Sequence, residues 1–165
     1  MFSAYLLFGS NLGDRELMIA RAVSLLGKRV VVEDGSKIYK SAAWGIEDQP
    51  AFLNQVARIQ TDLTPKGLLK LCLKVEGEMG RERKQKWGER LIDVDILYYE
   101  DWVIEETDLA IPHPGIPDRR FTLVPLCDLA PHKIHPVLHK SNQELLRDCK
   151  DPLTVEPYLT TDGVA

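Results

Sequence analysis

The chain is short of several things that would each point to a function. It has only three cysteines, Cys72, Cys127 and Cys149, far apart in 165 residues. That fits neither a paired disulfide framework nor a CxxC metal site, so a reducing, cytoplasmic setting is expected. Cationic surplus is also missing: 21 Lys and Arg face 25 Asp and Glu, for a net charge of −4 and a pI of about 5.6. Such a balance argues against a general nucleic-acid binder. No apolar run approaches the ~18 residues of a membrane span, and no basic stretch precedes the short apolar segment at 4–9, so neither a span nor an export signal is expected. There is no GxxxxGK[ST] loop, no protein-kinase signature and no internal repeat. Any phosphate chemistry must therefore use another scaffold.

What is present suits one compact domain over residues 1–165. At 44% hydrophobic residues the chain can bury roughly 70% of the surface its unfolded form exposes. The run "AYLLFG" predicts a strand, and "SNLGD" offers Ser10, Asn11 or Asp14 as the cap of a helix whose apolar positions are Leu17, Ile19, Ala20, Val23 and Leu26. "RVVVEDGSKIYKSA" and "FLNQVARIQT" read as strands on either side of a loop at 41–50. Thr64 and Pro65 start a second helix with an apolar face of Leu68, Leu69, Leu71, Cys72, Val75 and Met79. Then come strand "DVDILYY", strand "WVIEE", a Pro-rich loop at 111–117, a short helix near 119–127 and a helix capped by Ser141 with Glu144 at its third position. The order β α β β α β predicts an α+β ferredoxin-like sandwich, an antiparallel sheet with helices packed on it. Residues 151–165 show no amphipathic period and are expected to form a loosely packed tail.

Against the acidic background, residues 81–90, "RERKQKWGER", hold five basic and two acidic residues. They run directly into a strand in which Asp93 and Asp95 share one face while Val94 and Ile96 point into the core. Two like charges side by side repel. Hard oxygen ligands without His or Cys favour Mg²⁺, which takes a couple of carboxylates and completes its shell with water and substrate phosphate. Arg81, Arg83 and Arg90 can grip phosphate oxygens in pairs, with Lys84 and Lys86 as mobile charges. An Asp-x-Asp pair alone is more often two solvated or arginine-paired carboxylates. It is the attached basic run that points to a metal–nucleotide phosphate site. His132, His135 and His139, broken up by Pro131 and Pro136, read as a polar surface loop.

These residues resemble a known family. "KWGERLIDVDIL" at 86–97 is similar to the signature of the 6-hydroxymethyl-7,8-dihydropterin pyrophosphokinases, folate-pathway enzymes that move pyrophosphate from ATP to a pterin alcohol. The resemblance extends through "FGSNLGD" at 8–14, "DQPAFLNQV" at 48–56, "GRERK" at 80–84, "IPHP" at 111–114 and "RFTLVPLCDLAP" at 120–131. It implies that Asp93 and Asp95 hold two Mg²⁺ ions, that Arg81 and Arg83 lie on a catalytic loop, and that Glu76, Trp87, Arg90, Ile96, His113 and Arg119 adjoin ATP. It also implies that the pterin lies between Phe52 and Phe121, with Asn54 bonding the ring and Ser41, Ala42 and Trp44 reading its edge. Without the resemblance, both phenylalanines would pass for ordinary core aromatics. Leu73, Asp108, Ala110 and Pro114 stand where some members place other residues. The implied partners are small molecules, with no nucleic acid and no membrane, and the chain is expected to act as a monomer. The alternatives are a non-catalytic nucleotide or RNA binder and a metal-dependent kinase with another substrate. A sheet-surface RNA binder would interleave aromatic and basic residues where this strand begins with two aspartates.

Overall fold

The computed structural model describes residues 1–42, 50–80 and 91–159. In chain order the elements are β1 (Phe2–Ser10), α1 (Arg15–Leu26), β2 (Val31–Gly35), β3 (Tyr39–Ser41), β4 (Phe52–Thr61), α2 (Pro65–Glu78), β5 (Asp93–Tyr99), β6 (Ile104–Glu105), β7 (Ala110–Ile111), α3 (Arg120–Leu129), α4 (Asn142–Asp148) and β8 (Val155–Pro157). The main sheet runs β5-β1-β4-β3-β8, with β2 also paired to β4, and every pairing is antiparallel. This is the ferredoxin-like α+β sandwich that the element order predicts.

Helix starts follow local chemistry. Asp14 accepts the Leu17 N–H and Thr64 the Gly67 N–H, while Ser141 and Glu144 exchange bonds in a capping box. The buried face of α1 differs from the predicted one. Ile19, Ala22 and Leu26 face inward, whereas Leu17 is 50% exposed and Ala20 is exposed. At 100° per residue, positions 17 and 20 cannot share a face with the 19/22/26 stripe that meets the sheet. The predicted strand "WVIEE" shrinks to β6, which pairs with β7 in a separate two-stranded ribbon.

Two cores sandwich the sheet. Ala4, Leu6, Phe8, Val94 and Ile96 pack with α1 and α2 on one side, and Leu7, Val56, Leu97 and Tyr98 pack with α3 and α4 on the other. In β5 the alternation slips once: Leu6 pairs with Ile96 but Tyr5 with Tyr98. Leu97 is the extra residue of a bulge, so Leu97 and Tyr98 both reach the α3 side.

The segment predicted as a loose tail is tied down within its described part. Asp151 is buried and accepts the Arg120 N–H, and β8 pairs along β3. The histidine loop is also corrected. His135 is buried, its Nδ1 accepts the Val137 and Leu138 N–H groups, and its ring meets Tyr98 edge-on at 5.8 Å.

Candidate active site

The site is assembled by strand register. Asp93 pairs with Gly9, Gly9 with Asn54 and Asn54 with Tyr39, so these four lie in one row across β5, β1, β4 and β3. Paired residues point to the same side of a sheet, here the α3 side. Gly9 contributes no side chain to the row. A Cβ there would stand 3.3 Å from Asn54 Oδ1 and 3.7 Å from Phe52 Cδ1. The glycine thus leaves a trough between the carboxylate and the amide, which two strand spacings set about 10 Å apart. One row further along, Asp95 pairs with Leu7 and Leu7 with Val56, both buried, so packed core closes that end.

The amide end of the trough is fixed. Asn54 is 2% exposed and donates from Nδ2 to Ser41 Oγ at 2.8 Å, which turns its Oδ1 toward Gly9. Ala42 follows at the exposed end of β3. Phe52 lies on the same face as Asn54, and Phe121 is in the first turn of α3, the helix covering that face. Both rings are half-buried, unlike ordinary core aromatics. The α3 wall is held to β3 by Tyr39, whose hydroxyl bonds both Asp128 oxygens at 2.9 and 2.8 Å. Burial, followed by that hydrogen bond, pushes the phenol up to about 12.

The carboxylate end sits on the edge strand. Asp93 and Asp95 are half-exposed, while Val94 and Ile96 are 5% and 6% exposed on the opposite face. Glu76 on α2, itself 6% exposed, accepts the Val94 N–H at 2.8 Å through Oε2. It therefore grips the strand between the two aspartates. The outward Val94 N–H also fixes the phase of the ladder. By alternation, the Ile96 N–H and C=O project from the outer edge of β5, away from β1, although its side chain is core. Cys72, one turn before Glu76, is raised to about 12 by burial, then by Glu76 and Asp95, and stays protonated. All three thiols are free. Among the described residues no three His, Cys, Asp or Glu side chains cluster as a metal cage.

His113 and Arg119 form a third group beside β5. His113 N–H donates to Leu97 O at 2.9 Å, and its Nδ1 accepts the Gly115 N–H at 2.9 Å. The neutral ring therefore carries its proton on Nε2. Arg119 Cζ lies 5.8 Å from the centre of the Phe121 ring, and a Cβ on Gly115 would meet Arg119 Cζ at 2.8 Å. Gly115 thus makes room for that guanidinium. Burial, and secondarily Arg119, pulls His113 from 6.5 down to about 4. Between these values the unfolded chain binds a proton that the folded chain refuses, so His113 costs stability as pH falls through this window and nothing above it. In His113→Asn the amide oxygen can replace Nδ1 as the acceptor for Gly115, while His135 still titrates as in the wild type. Urea melts should show the variant losing less stability than wild type between pH 6.5 and about pH 4.5. Equal slopes would contradict the buried neutral imidazole.

Of the residues singled out from sequence, the structure brings Asp93, Asp95, Asn54, Ser41 and Phe52 onto one face, with Phe121 at its α3 wall. It places Glu76 and the Ile96 side chain on the other. Trp44, Arg81, Arg83, Trp87 and Arg90 lie outside the described residues, as do Lys84 and Lys86. Sequence reasoning missed Gly9, Tyr39 and Asp128. The stretch "SNLGD", which reads from sequence as a helix cap, also leads into contacts with the chain before β4: Asn11 Nδ2 donates to Pro50 O at 3.2 Å and Arg15 Nη1 to Ala51 O at 2.7 Å. The "FGSNLGD" motif was the available signal.

Comparison with known proteins identifies the family. The chain is 42% identical over 158 residues to 2-amino-4-hydroxy-6-hydroxymethyldihydropteridine pyrophosphokinase of Aquifex aeolicus, covering 96% of each. It is 45% identical over 145 residues to folic acid synthesis protein fol1 of Schizosaccharomyces pombe, 87% of this chain but 20% of that one. The fold matches the crystal structure of a Plasmodium falciparum HPPK-DHPS triple mutant with a TM-score of 0.73 at 18% identity, over 88% of this chain and 44% of that chain. The family model for 7,8-dihydro-6-hydroxymethylpterin-pyrophosphokinase matches residues 5–131, and the chain, with its trough between Asn54 and the β5 aspartates, belongs to that family.

Proposed function

We propose that the reaction of this family, transfer of pyrophosphate from ATP to 6-hydroxymethyl-7,8-dihydropterin in folate biosynthesis, runs in this chain along the Asn54–Gly9–Asp93 row. That row is the observation that carries the reading. A flat ring with polar edges suits the Asn54 end, where two half-buried phenylalanines and a fixed amide are available. Ser41, Ala42 and Trp44 would read the ring edge. The hydroxymethyl arm would then pass over Gly9 toward the aspartates, since Gly9 itself adds no side chain to the row.

ATP would lie along β5, with Ile96 offering backbone groups and His113, Arg119, Trp87, Arg90 and Glu76 around it. His113 can only donate there, through Nε2, and adds no positive charge at neutral pH. Arg81 and Arg83 would hold the transferring phosphates. Asp93 and Asp95 fit a hard divalent cation: both are half-exposed oxygen donors, and Cys72, the thiol that feels Asp95, stays protonated. Bound there, Mg²⁺, two ions by the family resemblance, would offset phosphate charge and polarise the phosphorus under attack. The pterin hydroxyl oxygen bonds to the β-phosphorus and gives up its proton. The bond from that phosphorus to the bridging oxygen of the α-phosphate breaks, and AMP leaves with the oxygen.

The described part of this site is built within one chain, which suits a monomer, and three free thiols suit a reducing cytoplasm. No helix among the described residues is long and apolar enough to cross a membrane. The test is product identity. With ATP, Mg²⁺ and the pterin alcohol, AMP should rise in step with the pterin diphosphate, and ADP as the main nucleotide product would reject the mechanism.

A further inference from the structure

Beyond residue 131, where the family model's match ends, the chain from Cys149 to Tyr158 touches three places, each next to a residue of the proposed pterin pocket. The first is the start of α3. Arg120, adjacent to Phe121, donates its N–H to Asp151 Oδ2 at 3.0 Å, its Nε to Asp151 O at 3.3 Å and its Nη2 to Cys149 O at 3.3 Å. Asp151 is 6% exposed, and its other oxygen accepts the Leu153 N–H at 3.0 Å, so this anchor is itself held.

The second contact is β3. Val155 pairs with Ser41, Glu156 with Lys40 and Pro157 with Tyr39, and the Tyr158 N–H donates to Ile38 O at 2.9 Å. Hydrogen-bonded pairs alternate along an antiparallel ladder. Bonding at Ile38–Tyr158 thus places the next bonded pair at Lys40–Glu156 and leaves Pro157, which has no N–H, where none is needed. Ser41 carries the bond to Asn54.

The third contact runs through Arg15. Its guanidinium lies 6.0 Å from the centre of the Tyr158 ring and donates to Ala51 O, beside Phe52. One short segment therefore links the backbone next to Phe121, the strand bearing Ser41 and the residue before Phe52.

We propose that residues 149–158, acting with Arg15, are a positioning brace that sets the spacing between the two aromatic walls of the pterin pocket. The proposal rests on the placement of the pterin given above. No brace residue touches the reacting atoms; its effect reaches the substrate through Phe121, Ser41 and Phe52. The exposed Lys40–Glu156 ion pair, at 3.4 Å, adds little, and the brace depends on backbone pairing and the Arg15 contacts.

The test uses the full-length chain and reads the KM for each substrate, kcat and the melting temperature. Glu156→Pro removes the central donor of β8, and Arg15→Met removes both the bond to Ala51 and the charge at Tyr158. Each should raise the pterin KM about tenfold, with kcat and the ATP KM within about twofold, the pattern of lost ground-state binding. Arg15→Lys, which keeps a cationic donor, should recover most of the loss. Asn54→Ala is measured alongside. If it raises the pterin KM while Glu156→Pro and Arg15→Met do not, the brace is refuted and the pocket stands. If Asn54→Ala also leaves the pterin KM unchanged, the pocket is misplaced and the brace falls with it. Parallel losses in both KM values, kcat and melting temperature would make the segment merely structural, again against the proposal. Should Glu156→Pro not fold, the Met and Lys variants at Arg15 still decide the matter.

Discussion

Asp95→Asn should lower turnover at least a hundredfold, with the melting temperature of the free protein close to that of the wild type. The two effects separate because the half-exposed Asp95 side chain lies outside both packed cores. Asn keeps the shape of the side chain and the alternation that buries Val94 and Ile96. A hundredfold loss corresponds to about 2.7 kcal/mol of barrier, within what two charged ligands organising phosphate chemistry can supply. Asp93→Asn should behave alike. A second readout needs no turnover: any rise in melting temperature with added Mg²⁺ and ATP should shrink in both variants, because a ligand stabilises only the state that binds it. If either variant kept most of its activity at saturating Mg²⁺ and substrates, the two-aspartate site would be wrong.

That pair was legible in the sequence because strand alternation is local, and so were the caps at Thr64 and Ser141, each made by hydrogen bonds three residues apart. The role of Gly9 was not. It depends on Gly9 standing between Asp93 and Asn54, residues 84 and 45 positions away, and only sheet order and register bring them together. The bulge at Leu97 was hidden for the same reason, since it exists only relative to β1. For α1 the error was a choice of face: Leu17 and Ala20 are apolar, but the stripe meeting the sheet is set by Ile19, Ala22 and Leu26. The brace escaped because β8 has three residues and Pro157 weakens any strand signal, while its partner β3 is over a hundred positions earlier.

Glu76 shows how a residue singled out for one reason turns out to serve another. The family resemblance puts it near the nucleotide, but its nearest defined task is mechanical, closing the edge of β5 at Val94. Glu76→Ala removes a charged acceptor from a site 6% exposed and leaves the Val94 N–H to be satisfied by nothing the substitution provides. Such a loss costs about 2–3 kcal/mol, or roughly 4–12 °C in melting temperature for a domain of this size. Because Val94 separates Asp93 from Asp95, the same loss loosens the strand that aims both carboxylates. Activity well below the melting point should therefore fall further than the unfolded fraction explains. Glu76→Gln divides the two contributions of the side chain. Its amide oxygen can still accept the Val94 N–H, so most of the stability should return, whereas the negative charge is gone. If Gln is destabilised as much as Ala, the charge and not the hydrogen bond holds Glu76 in place. If Ala melts like the wild type, the bond to Val94 does not anchor β5, and the aspartates must be positioned by β1 alone.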